Sequence, residues 1–185
     1  MLTVIPTSIP DVKILVPKSF GDNRGRFSEI YNRKRFYEQG ISLEFVQDNQ
    51  SWSAAIGTIR GLHFQASPKA QDKLVWVPRG RIFDVAVDLR RSSQTYGRWV
   101  AEELSAENGR QMLVPIGFAH GFCTLEPDTY VFYKVTDYYS PEAEFGIAWD
   151  DADLAIDWPI GRKDAILSDK DSKLPHFKFL TNCFE

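Results

Sequence analysis

From residue 43 onward the chain is one short strand-like segment after another, each closed by turn residues. No other feature constrains the fold as much. Residues 43–48, 58–64, 73–77, 81–89, 99–104, 111–114, 118–125, 130–138 and 146–150 carry the β-branched and aromatic side chains, and Gly, Pro, Asn, Asp and Ser collect between them. No segment of helical period alternates with these runs, so the spacing predicts an antiparallel sandwich or barrel rather than a parallel α/β sheet. Upstream, residues 12–16 and 26–31 read as further strands flanking the turn sequence GDNRG at 21–25. Asn32 is positioned to cap a short helix that Gly40 ends. The tail from about residue 151 is less regular, and a short helix or two packed on the outside is expected there. With 43% hydrophobic and 14% aromatic residues, the 185-residue chain can bury a sizeable core. It carries no repeat or linker, so residues 1–185 are read as a single domain.

A net charge of −3, with both signs interspersed, gives no field suited to general nucleic-acid or membrane binding, although a local basic pocket for an anionic ligand stays open. Cys123 and Cys183 lack paired spacing, which argues against a disulfide framework or metal knuckle and for a reducing compartment. The apolar N-terminal stretch is interrupted by Pro6, Pro10 and Pro17 and reads as neither a signal peptide nor a membrane span, so the cytoplasm is expected.

Chemistry concentrates in residues 58–83, TIRGLHFQASPKAQDKLVWVPRGRIF. His63 is flanked by Arg60 and Gln65, Lys73 follows ten residues later, and Pro78-Arg79-Gly80 is a hairpin signal. If Pro78 and Arg79 form a two-residue loop, Lys73 falls opposite Asp84; a loop shifted by one residue leaves the pair on the same face, one diagonal apart. Asp84 lies in the apolar run FDVAVDL, and an inward carboxylate there needs a partner, for which Lys73 is the expected choice.

Two patterns then meet: Gly57 and His63 as G-x5-H, and Pro115 to His120 as P-x-G-x-x-H. Together they resemble the two motifs of the cupin superfamily, whose fold is a jelly-roll β-barrel with the motif residues facing its interior. In metal-binding cupins the first motif continues as H-x-H and then Glu. Here Gln65 takes the place of the second His and no Glu follows at the matching spacing, so no metal is expected. The segments RGLHFQ (60–65), KLVWVPRGRIFDVAVDLR (73–90), PIGFAHGF (115–122), YKVTDYYSPEAE (133–144) and LSDKD (167–171) resemble the dTDP-4-dehydrorhamnose 3,5-epimerase family. FGDNRGRFSEIYN (20–32) and FVQDN (45–49) extend the likeness over nearly the whole chain.

That resemblance implies an all-β, cupin-type jelly-roll barrel with a few short peripheral helices. It also implies a cofactor-independent epimerase that inverts carbons 3 and 5 of dTDP-4-dehydro-6-deoxy-D-glucose, and a homodimer built through exchanged N-terminal strands. The ketone of such a sugar acidifies the hydrogens on its neighbouring carbons, yet imidazole is a weak base for a C–H, so the enolate oxygen must be stabilised away from water. By resemblance His63 is the base, Asp171 orients its ring, Lys73 stabilises the enolate and Asp84 holds Lys73. Tyr133 returns a proton from the opposite face. Arg24 and Arg60 would clamp the diphosphate. Glu29, Gln47, Asn49 and Glu144 would make polar contacts to base and sugar, while Phe27 and Tyr139 would stack on the thymine. His120 would touch the sugar and Lys170 the nucleotide end.

Strict strand alternation sets Arg60 and His63 on opposite faces. Either a bulge at Gly61 brings both into one pocket, or Arg60 reaches a neighbouring subunit's site. The competing functions are an epimerase acting on a single carbon of a related nucleotide deoxysugar, a non-catalytic cupin that binds sugar nucleotides, and a metal-dependent cupin enzyme.

Overall fold

The computed structural model describes residues 1–181 and 184–185 and consists almost entirely of antiparallel strands. In chain order these are β1 (Leu2–Pro6), β2 (Lys13–Pro17), β3 (Ser19–Asp22), β4 (Gly25–Ser28), the helix α1 (Arg33–Glu38), β5 (Gln47–Ser53), β6 (Ile59–Gln65), β7 (Lys73–Arg79), β8 (Arg81–Asp88), β9 (Trp99–Ser105), β10 (Gln111–Val114), β11 (Phe118–Thr124), β12 (Thr129–Val135) and β13 (Glu144–Gly146). Three single turns of 3-10 helix complete the peripheral structure. One sheet has the order β1-β2-β10-β7-β12-β5, the other β13-β6-β11-β8-β9, and β3 and β4 form a separate two-stranded ribbon. Two facing antiparallel sheets whose sequence neighbours are dispersed between them make the expected jelly roll.

The apolar side chains fall into three layers. Ile14, Val75, Val77, Ile82, Ala86, Met112 and Val131 fill the space between the sheets. Leu15, Leu74 and Leu113 lie on the outer face of the six-stranded sheet, under Phe36 of α1 and the loop residues Leu43 and Phe45. Val85, Val87, Leu89 and Ala119, on the outer face of the other sheet, are covered by Trp149, Leu154 and Trp158 of the C-terminal segment. Both faces of β8 are therefore buried, which is why FDVAVDL reads as an almost unbroken apolar run. Asn32 caps α1 as expected, its side chain accepting from the amides of Lys34 and Arg35.

The structure corrects three expectations. The hairpin at 78–80 is absent: β7 and β8 belong to opposite sheets, and the chain crosses the sandwich at Gly80. Its φ of +84° and the 2.2 Å from a would-be Cβ to Thr129 Oγ1 leave room for glycine alone. Lys73 and Asp84 thus enter the interior from facing sheets, not across a hairpin. The strand expected at 43–48 lies instead at Gln47–Ser53, because Leu43 and Phe45 pack outward near α1, whereas Gln47, Asn49 and Ser51 line a polar cavity. Finally, β1 was not expected; Pro6 closes it on a sheet edge, where a missing N–H is tolerated. Cys123 is buried as a free thiol, and Cys183 lies outside the described residues. Among the described residues no helix is long and apolar enough to cross a membrane.

Candidate active site

Between the sheets, lined by residues of β5, β6, β7, β11 and β12, lies a cavity of about 550 Å³. One wall is the five-stranded sheet. His63 on β6 is the register partner of His120 on β11, which in turn lies across from Ala86 on β8, so the two imidazoles stand side by side. The facing wall contributes Lys73 from β7 and Tyr133 from β12, with Asn49 directly opposite Tyr133 on β5. The tail closes the space with Ser168, Lys170 and Asp171.

His63 Nε2 lies 2.6 Å from Asp171 Oδ1, and Asp171 is buried. The backbone amide of Asp171 donates to Ser168 Oγ at 3.0 Å, which fixes the start of a 3-10 turn and aims the carboxylate. Burial alone would push this carboxyl up. Hydrogen bonds from His63, together with those involving Ser168 and the Gly61 amide, outweigh it and hold Asp171 below its usual value. An ionised carboxylate can only accept, so His63 Nε2 is the N–H and Nδ1 carries the free lone pair.

Lys73 Nζ donates to the carbonyl oxygen of His63 at 3.2 Å. Burial pushes its ammonium down to about 8, against the opposing pull of Asp84 and Glu144. The expectation that Asp84 holds Lys73 is corrected to this longer-range attraction. The direct partner of Asp84 is His120, with Nε2 2.7 Å from Oδ1, because the two residues share the inner face of adjacent strands. Burial raises the Tyr133 phenol above its ordinary value; the charge of Arg60 opposes this and that of Glu144 adds to it.

Arg60 lines the same cavity of its own chain. Between the pairings His120–His63 and Phe122–Arg60 the register shifts by one residue, so β6 bulges at Gly61 and Leu62, one of the two readings the alternation left open. The bulge depends on glycine: with φ at +118°, a Cβ on Gly61 would sit 2.6 Å from Gly121 Cα. The guanidinium is held by Ser53 Oγ at 3.2 Å and the Trp52 carbonyl at 2.9 Å. At the rim, Glu144 Oε2 accepts from Tyr139 Oη at 2.7 Å and Lys170 Nζ at 2.5 Å. Gln47 donates to Asn49 and accepts the Tyr139 amide.

Three expected residues are elsewhere in the single chain. Arg24, paired with Asp22, and Phe27, 70% exposed, lie on the β3–β4 ribbon, and Glu29 follows it, paired with Arg35. Conversely, sequence reasoning missed Ser168 and the structural role of Gln65. Gln65 bonds to the Lys69 and Tyr138 carbonyls and the Ser140 amide, tying together two loops at the mouth. Its position two residues after His63 on one strand face, and the S-x-x-D spacing of Ser168 and Asp171, were the available signals. Among the described residues no three His, Cys, Asp or Glu side chains converge as a metal site requires.

The model of the dTDP-4-dehydrorhamnose 3,5-epimerase family matches residues 6–178. The chain belongs to that family. The Sinorhizobium fredii dTDP-4-dehydrorhamnose 3,5-epimerase is 54% identical over 91% of this chain and 86% of its own. The crystal structure of the Bacillus anthracis enzyme, with TDP and pyrophosphate bound, superposes with a TM-score of 0.92 at 55% identity, covering 95% of this chain and 99% of that one. The Legionella pneumophila 3,5-epimerase, in complex with dTDP-4-keto-L-rhamnose, gives a TM-score of 0.92 at 48% identity over 97% and 95% of the two chains. The chain is accordingly an epimerase with the jelly-roll fold of these 3,5-epimerases. Its cavity sets an imidazole oriented by a carboxylate on one wall, and an ammonium and a phenol on the other.

Proposed function

We propose that this epimerase inverts carbons 3 and 5 of dTDP-4-dehydro-6-deoxy-D-glucose to give dTDP-4-dehydro-L-rhamnose, with His63 as base and Tyr133 as acid. The observation that carries the reading is the short His63–Asp171 pair set in one cavity with Lys73 and Tyr133. His63 Nδ1 takes the proton from a carbon beside the ketone. Asp171 holds the tautomer and favours the imidazolium that forms. Lys73 donates to the enolate oxygen as charge builds on it, in a site shielded by two sheets. Tyr133, on the facing wall, delivers its proton to the opposite face of the same carbon, which turns exchange into inversion. The reaction is redox-neutral and begins and ends with the same atoms, so the reading needs no cofactor.

Arg60, Lys170, Tyr139, Glu144, Gln47 and Asn49 line or rim the cavity and would hold the nucleotide diphosphate and sugar. Arg24, Phe27 and Glu29 would join them from a second copy. In that homodimer the β3–β4 ribbon, which here projects with Phe20 and Phe27 exposed, enters the partner's cavity. Cytoplasmic residence suits a buried free thiol at Cys123.

Incubation with the 4-keto-6-deoxyglucose nucleotide in heavy water, followed by NMR, tests the reading. Deuterium at carbons 3 and 5 with the L-sugar configuration is expected. Label confined to one carbon would make this a single-carbon epimerase, and absence of turnover in the parent protein would leave a sugar-nucleotide-binding cupin.

A further inference from the structure

Between the end of β12 at Val135 and the 3-10 turn that opens at Pro141, residues 137–140 belong to no strand or helix, so no ladder pairs their backbone. Glutamine side chains take the ladder's place. Gln71 Nε2 donates to the Asp137 carbonyl at 2.6 Å, and Gln65 Nε2 to the Tyr138 carbonyl at 3.3 Å. Gln47 Oε1 accepts from the Tyr139 amide at 3.1 Å, and Gln65 Oε1 from the Ser140 amide at 2.8 Å. Four consecutive residues are each held by one backbone group, from β5, from the end of β6 and from the loop that follows it. The residue in their midst that reaches the cavity is Tyr139, whose hydroxyl donates to Glu144 at 2.7 Å.

Gln65 is buried and lines the cavity, yet it has no donor left for a ligand. The two N–H groups of its amide go to the carbonyls of Lys69, at 2.6 Å, and Tyr138. Carbonyls only accept and the Ser140 amide only donates, so the network fixes which way the side-chain amide points. A carboxylate could not donate, and an imidazole has too few groups for three bonds. The Lys69 ammonium also pairs with Asp137 at 3.2 Å, which ties the loop after β6 to residues 137–140 a second time. We infer that Gln65 and Gln71 are positioning residues for nucleotide binding. They hold the backbone on either side of Tyr139 while Glu144 holds its hydroxyl, so the ring is set in place before the base arrives. The ordering of side chain and loop is then not charged to the binding step. The inference rests on the reading that Tyr139 stacks on the base.

Calorimetric titration with dTDP of the parent, Gln65→Leu, Tyr139→Ala and the double variant tests this. Gln65→Leu removes all three bonds at similar volume, and its Kd for dTDP should rise about 10-fold. KM for the sugar nucleotide should rise with it and kcat should stay within a few-fold, because the loss falls equally on ground and transition states. In Tyr139→Ala, which has no ring to position, adding Gln65→Leu should change Kd by less than about twofold. An unchanged Kd in Gln65→Leu, or the same loss in both backgrounds, overturns the proposal. Tyr139→Ala binding dTDP as the parent does would overturn the stacking beneath it, and the proposal with it. If Gln65→Leu fails to fold by thermal melting, Gln71→Ala, half-buried and with one bond to lose, decides in the same cycle. It should weaken dTDP about threefold in the parent and not at all in Tyr139→Ala; equal effects in the two overturn the proposal.

Discussion

Asp171 shows what one carboxylate contributes at the scale of a residue. It is buried, bonded to His63 and held ionised by its neighbours. Asp171→Asn keeps the volume but presents a donor or a neutral acceptor to Nε2, so the ring loses its tautomer preference. We expect kcat to fall about 10³-fold with KM within a few-fold of the parent, as steady-state kinetics on the purified variant will read. In the proposed reaction Lys73 would set the alkaline limit. Its ammonium, pushed down to about 8, is charged below that pH and neutral above it. The stabilisation of the enolate is therefore present at neutral pH and lost as pH rises through about 8, and kcat/KM should fall with that apparent pKa. Lys73→Arg, charged throughout this range, should remove the limb even if its rate is lower; a limb that persists would assign it to another group. These side chains were legible because their residue types sit in motifs. The partner of Asp84 was not, since parity names a face but not which of several groups across the interior comes closest.

At the scale of an element, the β6 bulge decides which side chains share the cavity. Gly61→Ala would drive a Cβ into the backbone of β11 at 2.6–2.7 Å and demand a positive φ of alanine. The expected cost is about 2–5 kcal/mol, a drop in Tm of roughly 10 °C by thermal melting, with Arg60 or His63 displaced and activity lost. An unchanged Tm would mean the ladder accommodates the methyl. The bulge was legible as a conflict between two residues that alternation separates. The strands were legible wherever one face packs the core, as at Gln111–Val114, which falls where its pattern predicts. They were misread where the inner face is polar because a cavity lies there: Gln47–Ser53 looks like a loop until its alternating burial is seen. The 78–80 turn failed for a related reason, since turn chemistry marks where a chain reverses but not whether it stays in its sheet.

At the scale of the whole molecule, the proposed homodimer would complete each site with the exposed β3–β4 ribbon of a second copy. Arg24→Ala and His63→Asn homodimers should each be nearly inactive. Mixed and allowed to exchange subunits, they form hybrids with one intact site, recovering about a quarter of parental activity. No recovery despite subunit exchange would mean that the ribbon serves its own chain. Every scale depends on one event, removal of a carbon-bound proton by His63 under the hold of Asp171. The most direct measurement is single-turnover exchange by His63→Asn with the 4-keto-6-deoxyglucose nucleotide in heavy water, under conditions where nucleotide binding is verified. The account predicts bound substrate whose deuterium uptake at carbons 3 and 5 is slowed by about 10²–10⁴-fold. Uptake at the parental rate on both carbons would contradict it.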